Sequence, residues 1–243
     1  MMKTTAILYT LPFFAYSLCL QARSVEPEAV EQLQSRVETG DPEAMAELAA
    51  CYGNGDGVPQ DFGKAFELAR RAAEHGVARA EHVLGTCYWR GAGVERDIEE
   101  AIRWMTKAAE HGYAASMGSL GGILLERNSS PQDVEQGVAW MEKAIENGDM
   151  RSLFNLGSVY YTGVGVSVNK EKAFELYLRS AELGNPDGMF SVSYMYDKGD
   201  GVEQDAQKAF EWLNKAADLL PEDAEGAGST GRYVHGWERH PCG

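Results

Sequence analysis

The chain has 243 residues, a formal charge of −15 and 44% hydrophobic residues. Such acidity argues against binding nucleic acid or an anionic membrane surface, and it favours solubility. Apolar content at this length is enough to fold layer by layer without metal or disulfides. Residues 1–22 read as a signal peptide. Lys3 gives a positive start, Ala6 to Leu20 is mostly apolar, and Ala22 is a suitable last residue before cleavage. The stretch carries Thr10 and Pro12 and is short for a membrane span, although an uncleaved anchor is the alternative. Cys19 fits a lipoprotein signal poorly after Tyr16-Ser17-Leu18. The expected location is therefore secreted or periplasmic. Residues 23–40 contain one amphipathic stretch, Glu26 to Thr39, read as an N-terminal capping helix.

From there a strict period takes over. Glycine recurs every 36 residues at Gly40, Gly76, Gly112, Gly148 and Gly184. A fixed period in this range signals stacked supersecondary units and not one globular core. Each unit opens with a first helix. Its columns are Ala44, Ala80, Ser116, Ser152, Gly188, then Leu48, Leu84, Leu120, Leu156, Val192, then Tyr52, Tyr88, Leu124, Tyr160, Tyr196. Spacings of four put all three columns on one face.

A glycine loop follows: Gly55-Asp56-Gly57-Val58, Gly91-Ala92-Gly93-Val94, Gly163-Val164-Gly165-Val166 and Gly199-Asp200-Gly201-Val202. Glycine supplies positive φ for a tight turn. The loop follows a helix and lacks the full dinucleotide pattern, so it reads as structure and not as a phosphate cradle. It also lacks the acidic spacing of a calcium loop. The second helix is expected to start at Asp61, Asp97, Asp133, Asn169 and Asp205, since Asp and Asn are strong N-caps. Glu100 and Gln136 would close capping boxes. Its columns are Ala65, Ala101, Gly137, Ala173, Ala209 and Leu68, Trp104, Trp140, Leu176, Trp212. The period glycine then suits a left-handed position just past the last turn.

Taken together, Ala-x-x-x-Leu-Gly-x-x-Tyr, Gly-x-Gly-Val, Asp-x-x-Lys-Ala and Lys-Ala-Ala-Glu-x-Gly resemble the Sel1-like repeat, a relative of the tetratricopeptide repeat. Five such repeats cover residues 41–221. The resemblance implies an all-α, right-handed α-solenoid of two-helix repeats. It further implies an adaptor or regulator that binds proteins in envelope or secretory signalling or in host interaction. In repeat 3, Arg127-Asn128-Ser129-Ser130-Pro131 replaces the glycine loop, so that turn should differ. The same segment holds a glycan sequon, meaningful only in a eukaryotic source. Residues 222–243 are rich in Gly and charge without helical period, and are read as a flexible tail.

The chain presents no nucleophile–base motif, and neither cofactor nor metal is expected. A β-lactamase-like hydrolase is the rival, since some Sel1-like proteins carry that label. A subunit that assembles envelope complexes by its edges is a third option. His75 and His111 sit where a cation favours a helix C-terminus. His235, His240 and Cys242 are a weak metal-site set in the tail. Cys51 and Cys87 share a column, but equivalent stacked helices lie about 8–10 Å apart, beyond disulfide reach.

Candidate binding residues come from the first-helix columns turned away from the core, which should line the concave side. Repeat 2 offers Arg79, His82, Thr86 and Trp89. Repeat 4 offers Arg151, Phe154, Ser158 and Tyr161, and repeat 5 offers Asp187, Phe190, Tyr194 and Asp197. Repeat 1 offers only Glu43, Ala46, Ala50 and Gly53. The small residues of repeat 3, with Gly118 and Gly122 among them, would leave a depression between aromatic flanks. Aromatic residues with arginine on one face resemble a binding hot spot, although some rings could instead pack against the next layer. The expected partner is a protein or peptide, with no nucleic acid and no membrane after signal cleavage.

Overall fold

The computed structural model describes residues 27–127 and 130–219. The signal-peptide and tail assignments, and Asn128 of the sequon, lie outside the described residues. Among the described residues there are eleven α-helices and no strand. They are α1 Pro27–Glu38, α2 Pro42–Asn54, α3 Phe62–Ala73, α4 Ala78–Arg90, α5 Ile98–Glu110, α6 Ala114–Arg127, α7 Pro131–Glu146, α8 Met150–Thr162, α9 Lys170–Glu182, α10 Pro186–Lys198 and α11 Ala206–Ala217. The chain forms two compact units that meet within α8, between Asn155 and Leu156.

In the first unit, helices pair through the small-residue columns. Leu48, Leu84 and Leu120 are each no more than 3% exposed. Fully burying a leucine contributes about 1.5–3 kcal/mol, so this column holds the layers. The small residue after each leucine, Ala49, Gly85 or Gly121, sets how close the paired helices come. A Cβ on Gly85 would stand 2.9 Å from Met105 Cγ, and one on Gly121 would stand 2.6 Å from the Gly137 carbonyl oxygen. Val30 and Leu33 of α1 pack on Ala44, Leu48 and Cys51 of α2. In the second unit, the same column carries Gly157 against the Tyr177 ring. There Ser193 takes the glycine's place and donates its hydroxyl to the Ala209 carbonyl at 2.7 Å.

Four second helices start where the caps predict. Asp61, Asp97, Asn169 and Asp205 accept from the backbone N–H three residues on, at 2.9–3.0 Å. Each cap residue also donates its own N–H to the tyrosine carbonyl that ends the first helix, at 2.9 Å. In three repeats the lysine of Asp-x-x-Lys then lies over that tyrosine's ring: Lys64 over Tyr52, Lys172 over Tyr160 and Lys208 over Tyr196. The motif is therefore a clamp, in which one carboxamide or carboxylate and one ammonium join both helices of a repeat.

Repeat 3 corrects the expected start at Asp133. Ser130 caps α7, with its Oγ accepting from the Asp133 N–H at 3.2 Å, and Pro131 occupies the first turn. Proline presets the helical φ there, so the helix begins early. Asp133 is instead buried, in a two-point ion pair with Arg127 at 3.1 and 2.5 Å. Neither expected capping box forms. The Glu100 carboxylate accepts from Arg103 at 2.5 Å, and Gln136 lies well inside α7.

The period glycines all have positive φ, between 74° and 88°. So do both glycines of every Gly-x-Gly-Val loop. The loop valines are only half-buried.

Cys51 and Cys87 are free and buried. Burial pushes the Cys87 thiol up to about 11, so little reactive thiolate exists at neutral pH. Peptide mapping without reductant should recover both as thiols, and alkylation of Cys87 should be slow until denaturant is added. A Cys51–Cys87 crosslinked peptide would show that the column geometry is wrong.

Candidate binding surface

In the first unit, the predicted face divides into three kinds of position. Arg79 on α4 is exposed and lies 3.9 Å from Glu47 of α2. Arg151 on α8 is exposed, with its Nε donating to Asp149 at 3.2 Å. Trp89 is half-buried. Its ring packs on the Met117 and Leu120 cluster, and its Nε1 donates to Glu126 of α6 at 3.3 Å. Phe154 is also half-buried.

His82 does not line an open face. Its ring is enclosed, although part of the residue reaches solvent. Nδ1 lies 2.9 Å from Ser116 Oγ, and the ring sits 5.2 Å from that of Tyr113. Burial, reinforced by the nearby Arg151 and Arg90 charges and opposed by Asp149, holds the imidazole at about 4. The expected depression in repeat 3 is likewise absent. Gly118, Gly122 and Leu125 are buried. A Cβ on Gly118 would collide with Ser152 Oγ and Asp149. Ala46 of the same column is fully buried too. For Ala46, His82 and Gly118 the physical reason is shared: their column faces the neighbouring first helix, so it lies between layers and not above them.

In the second unit, Tyr161 and Tyr194 come together by a side-chain hydrogen bond. The Tyr161 hydroxyl also donates to Asp200 at 3.0 Å, and Lys170 meets both Asp200 oxygens at 2.6 and 2.7 Å. Burial, with Asp200 and Tyr194 beside it, lifts the Tyr161 phenol well above the ordinary tyrosine range. Tyr194 is 37% exposed, whereas Phe190 is half-buried.

Sequence reasoning missed the partners Glu47, Glu126, Asp149, Lys170 and Asp200. Only Asp200 gave a signal, as the acidic residue of a Gly-x-Gly loop that Asp56 matches in repeat 1. A second omission is Glu81, whose buried carboxylate meets His111 at 2.8 Å.

Arg79, Arg151 and Tyr194 offer exposed groups of the kind used in recognition. The one close Ser–His pair named above is a poor catalytic unit, because Ser116 is fully buried and an imidazole held near 4 is a weak base at neutral pH. A cavity of about 180 Å³ is lined by Arg96, Ile98, Ile123, Glu126 and Arg127. It is below the usual size of a ligand pocket. Its arginines are already paired, Arg96 with Glu126 and Arg127 with Glu99 and Asp133. Among the described residues no cluster of three or more His, Cys, Asp or Glu could hold a metal, and no helix is long and apolar enough to cross a membrane.

Paired helices in a fixed 36-residue register, joined by cap and lysine clamps, define an α-solenoid repeat protein. The Sel1 repeat model matches residues 42–77, 78–113, 114–149, 151–185 and 186–219, and the chain belongs to the Sel1 repeat family. It is similar to a protective antigen of uropathogenic Escherichia coli strains with the same repeat fold, at 30% identity and a TM-score of 0.66. That match covers 88% of this chain and 45% of the relative, so the chain spans less than half of its length. A Sel1 repeat protein from Oxalobacter formigenes is 27% identical over 82% of each chain, with a TM-score of 0.63. A Sel1 repeat protein from Klebsiella pneumoniae shares the fold at 23% identity, covering 86% of this chain and 98% of that one, with a TM-score of 0.58. No curated protein sequence matches the chain. Sel1 repeat proteins are generally protein-interaction scaffolds without catalysis of their own.

Proposed function

We propose that this protein is an exported scaffold that binds a protein or peptide on its first-helix face, acting as an adaptor or regulator at the cell envelope or in host interaction. The observation that carries this is the pair of exposed arginines, Arg79 and Arg151, in the same unit as the half-buried rings of Trp89 and Phe154. Guanidinium groups beside partly covered aromatics are the residue types that dominate interface energies. Tyr194 supplies a comparable exposed ring in the second unit. Export rests on the signal-like residues 1–22, and the resemblance to a protective antigen supports it.

Affinity capture from envelope extract, read by mass spectrometry, tests the proposal. The expected result is a partner retained by the wild type and lost from an Arg79→Glu, Arg151→Glu variant with an unchanged melting temperature. Each lost hot-spot arginine should weaken binding by about 2 kcal/mol or more. Equal retention by the variant would sink the face assignment.

The hydrolase alternative predicts turnover of a chromogenic β-lactam. The expected rate is background, because no activated nucleophile is exposed among the described residues. Turnover that persists through purification and vanishes on one substitution would reverse this conclusion.

A further inference from the structure

Three arginines stand on the first helices of repeats 2 and 4, in a chain whose formal charge is −15. Arg79 and Arg90 lie on α4 and Arg151 on α8, and all three are exposed. Arg79 and Arg151 hold the same column two repeats apart, with Ala115 of α6 between them. Across α4, α6 and the part of α8 that belongs to the first unit, Glu126 is the one exposed carboxylate. It is already engaged by Arg96 at 3.6 Å and by Trp89 Nε1 at 3.3 Å.

The three guanidiniums are poorly neutralised. Arg90 makes no ion pair among the described residues and lies over the Trp89 ring, 5.6 Å from its centroid. Arg79 reaches Glu47 only at 3.9 Å. Arg151 meets Asp149 through Nε alone, and that carboxylate is 10% exposed and also accepts from the Ser152 hydroxyl at 2.6 Å. A guanidinium carries five N–H donors in a planar fork, so most of this donor capacity is unused. Burial first, then the charges of Arg151 and Arg90, keep the His82 ring neutral, so both guanidiniums stand near that ring. The floor between the arginines is low. There α6 offers Ala115 and Ser119, half-buried, beside the buried Gly118 and Gly122.

We propose that the partner of this face is an extended, acidic peptide segment whose carboxylates pair with Arg79, Arg90 and Arg151 across the α6 floor. The proposal rests on the first-helix face being the binding surface, and it adds Arg90 and the partner's charge. Neighbouring helices pack about 8–10 Å apart, so two repeats separate Arg79 from Arg151 by roughly 16–20 Å. An extended chain covers that distance in about five or six residues. Arg90 lies roughly 16 Å along α4 from Arg79, at 1.5 Å per residue. Planar pairing of guanidinium with carboxylate gives geometric specificity as well as attraction. Repeat 1 bounds the site, since Glu43 and Glu47 of α2 repel an acidic chain there.

Selection from a random peptide library displayed on phage, with the full chain as bait, tests this. The expected enrichment is for sequences with several Asp or Glu residues. A synthetic copy of the leading sequence should bind about tenfold more weakly to Arg90→Gln, with an unchanged melting temperature. Its affinity should also fall about tenfold between about 50 and about 300 mM salt. Selection on Arg90→Glu should exchange one acid for Lys or Arg, a result that lost packing does not produce. Enriched sequences that lack acids yet still need Arg79 and Arg151 would overturn the acidic partner and leave the face standing. Acidic sequences that bind equally well to Arg79→Glu, Arg151→Glu would overturn both. The absence of any enriched sequence would overturn a linear acidic partner.

Discussion

Replacing Gly93 with alanine should cost about 3–5 kcal/mol, whereas Gly76→Ala should cost only about 1–2 kcal/mol. Both glycines have nearly the same backbone, with φ of 75° and 74°. Left-handed backbone with a side chain accounts for the smaller figure in each. What separates them is space. A Cβ on Gly76 meets nothing within 4 Å, whereas one on Gly93 would overlap the Phe62 carbonyl and approach the Gly63 nitrogen at 3.0 Å. That contact is backbone at the start of α3, in the preceding repeat, so no side-chain rotation relieves it. Gly201 makes the same contact against Lys170 and Glu171 in the second unit and should respond likewise. Denaturant midpoints of the three variants check this. Equal losses at Gly76 and Gly93 would show that the loop does not seat on the neighbouring repeat.

Acid should destabilise the first unit through His82, over a window that opens above the carboxylate range. The folded imidazole sits at about 4, below its ordinary 6.5. Its charged form is therefore disfavoured in the fold, and the unfolded chain binds more protons between those values. The stability that neutral His82 supplies is complete above pH 6.5 and is lost as pH falls toward 4. Each pH unit in that window is worth about 1.4 kcal/mol. Discounted for the part of the residue that reaches solvent, the loss is about 2–3 kcal/mol. Arg151 and Arg90 oppose the extra charge while Asp149 favours it, so burial dominates the sign. Urea titrations at about pH 7.5 and about pH 4.5, on wild type and His82→Gln, isolate the effect. Glutamine keeps a hydrogen-bonding group near Ser116 but does not titrate, so the variant should lose distinctly less stability on acidification. Identical pH dependence in both proteins would exclude His82 as the cause.

Several columns were legible because they repeat. A leucine, a cap aspartate or a left-handed glycine that recurs in phase must do the same local job each time, and local jobs follow from backbone geometry alone. Repeat 3 escaped this logic. Its Asp133 kept the column but lost the role, because Ser130-Pro131 starts α7 earlier and Arg127 claims the carboxylate. The candidate face escaped it in part. Rotation by about 100° per residue separates core from non-core on an isolated helix, but it cannot tell solvent from the flank of the next layer. Arg79, Arg151 and Tyr194 fell on the solvent side, and His82, Gly118 and Gly122 on the interlayer side.

The sequence by itself determined the all-helical repeat architecture, the register, four of the five cap positions expected for second helices and the need for glycine wherever φ is positive. Those features depend on periodicity and on steric limits within a few consecutive residues. Only the tertiary structure decided which outward columns stay open, why Gly93 and Gly201 tolerate no Cβ, and that Glu81, Glu126 and Asp200 partner the residues read from the sequence. These depend on how close one repeat lies to the next. That distance is set by packing across the layers, and no residue encodes it alone.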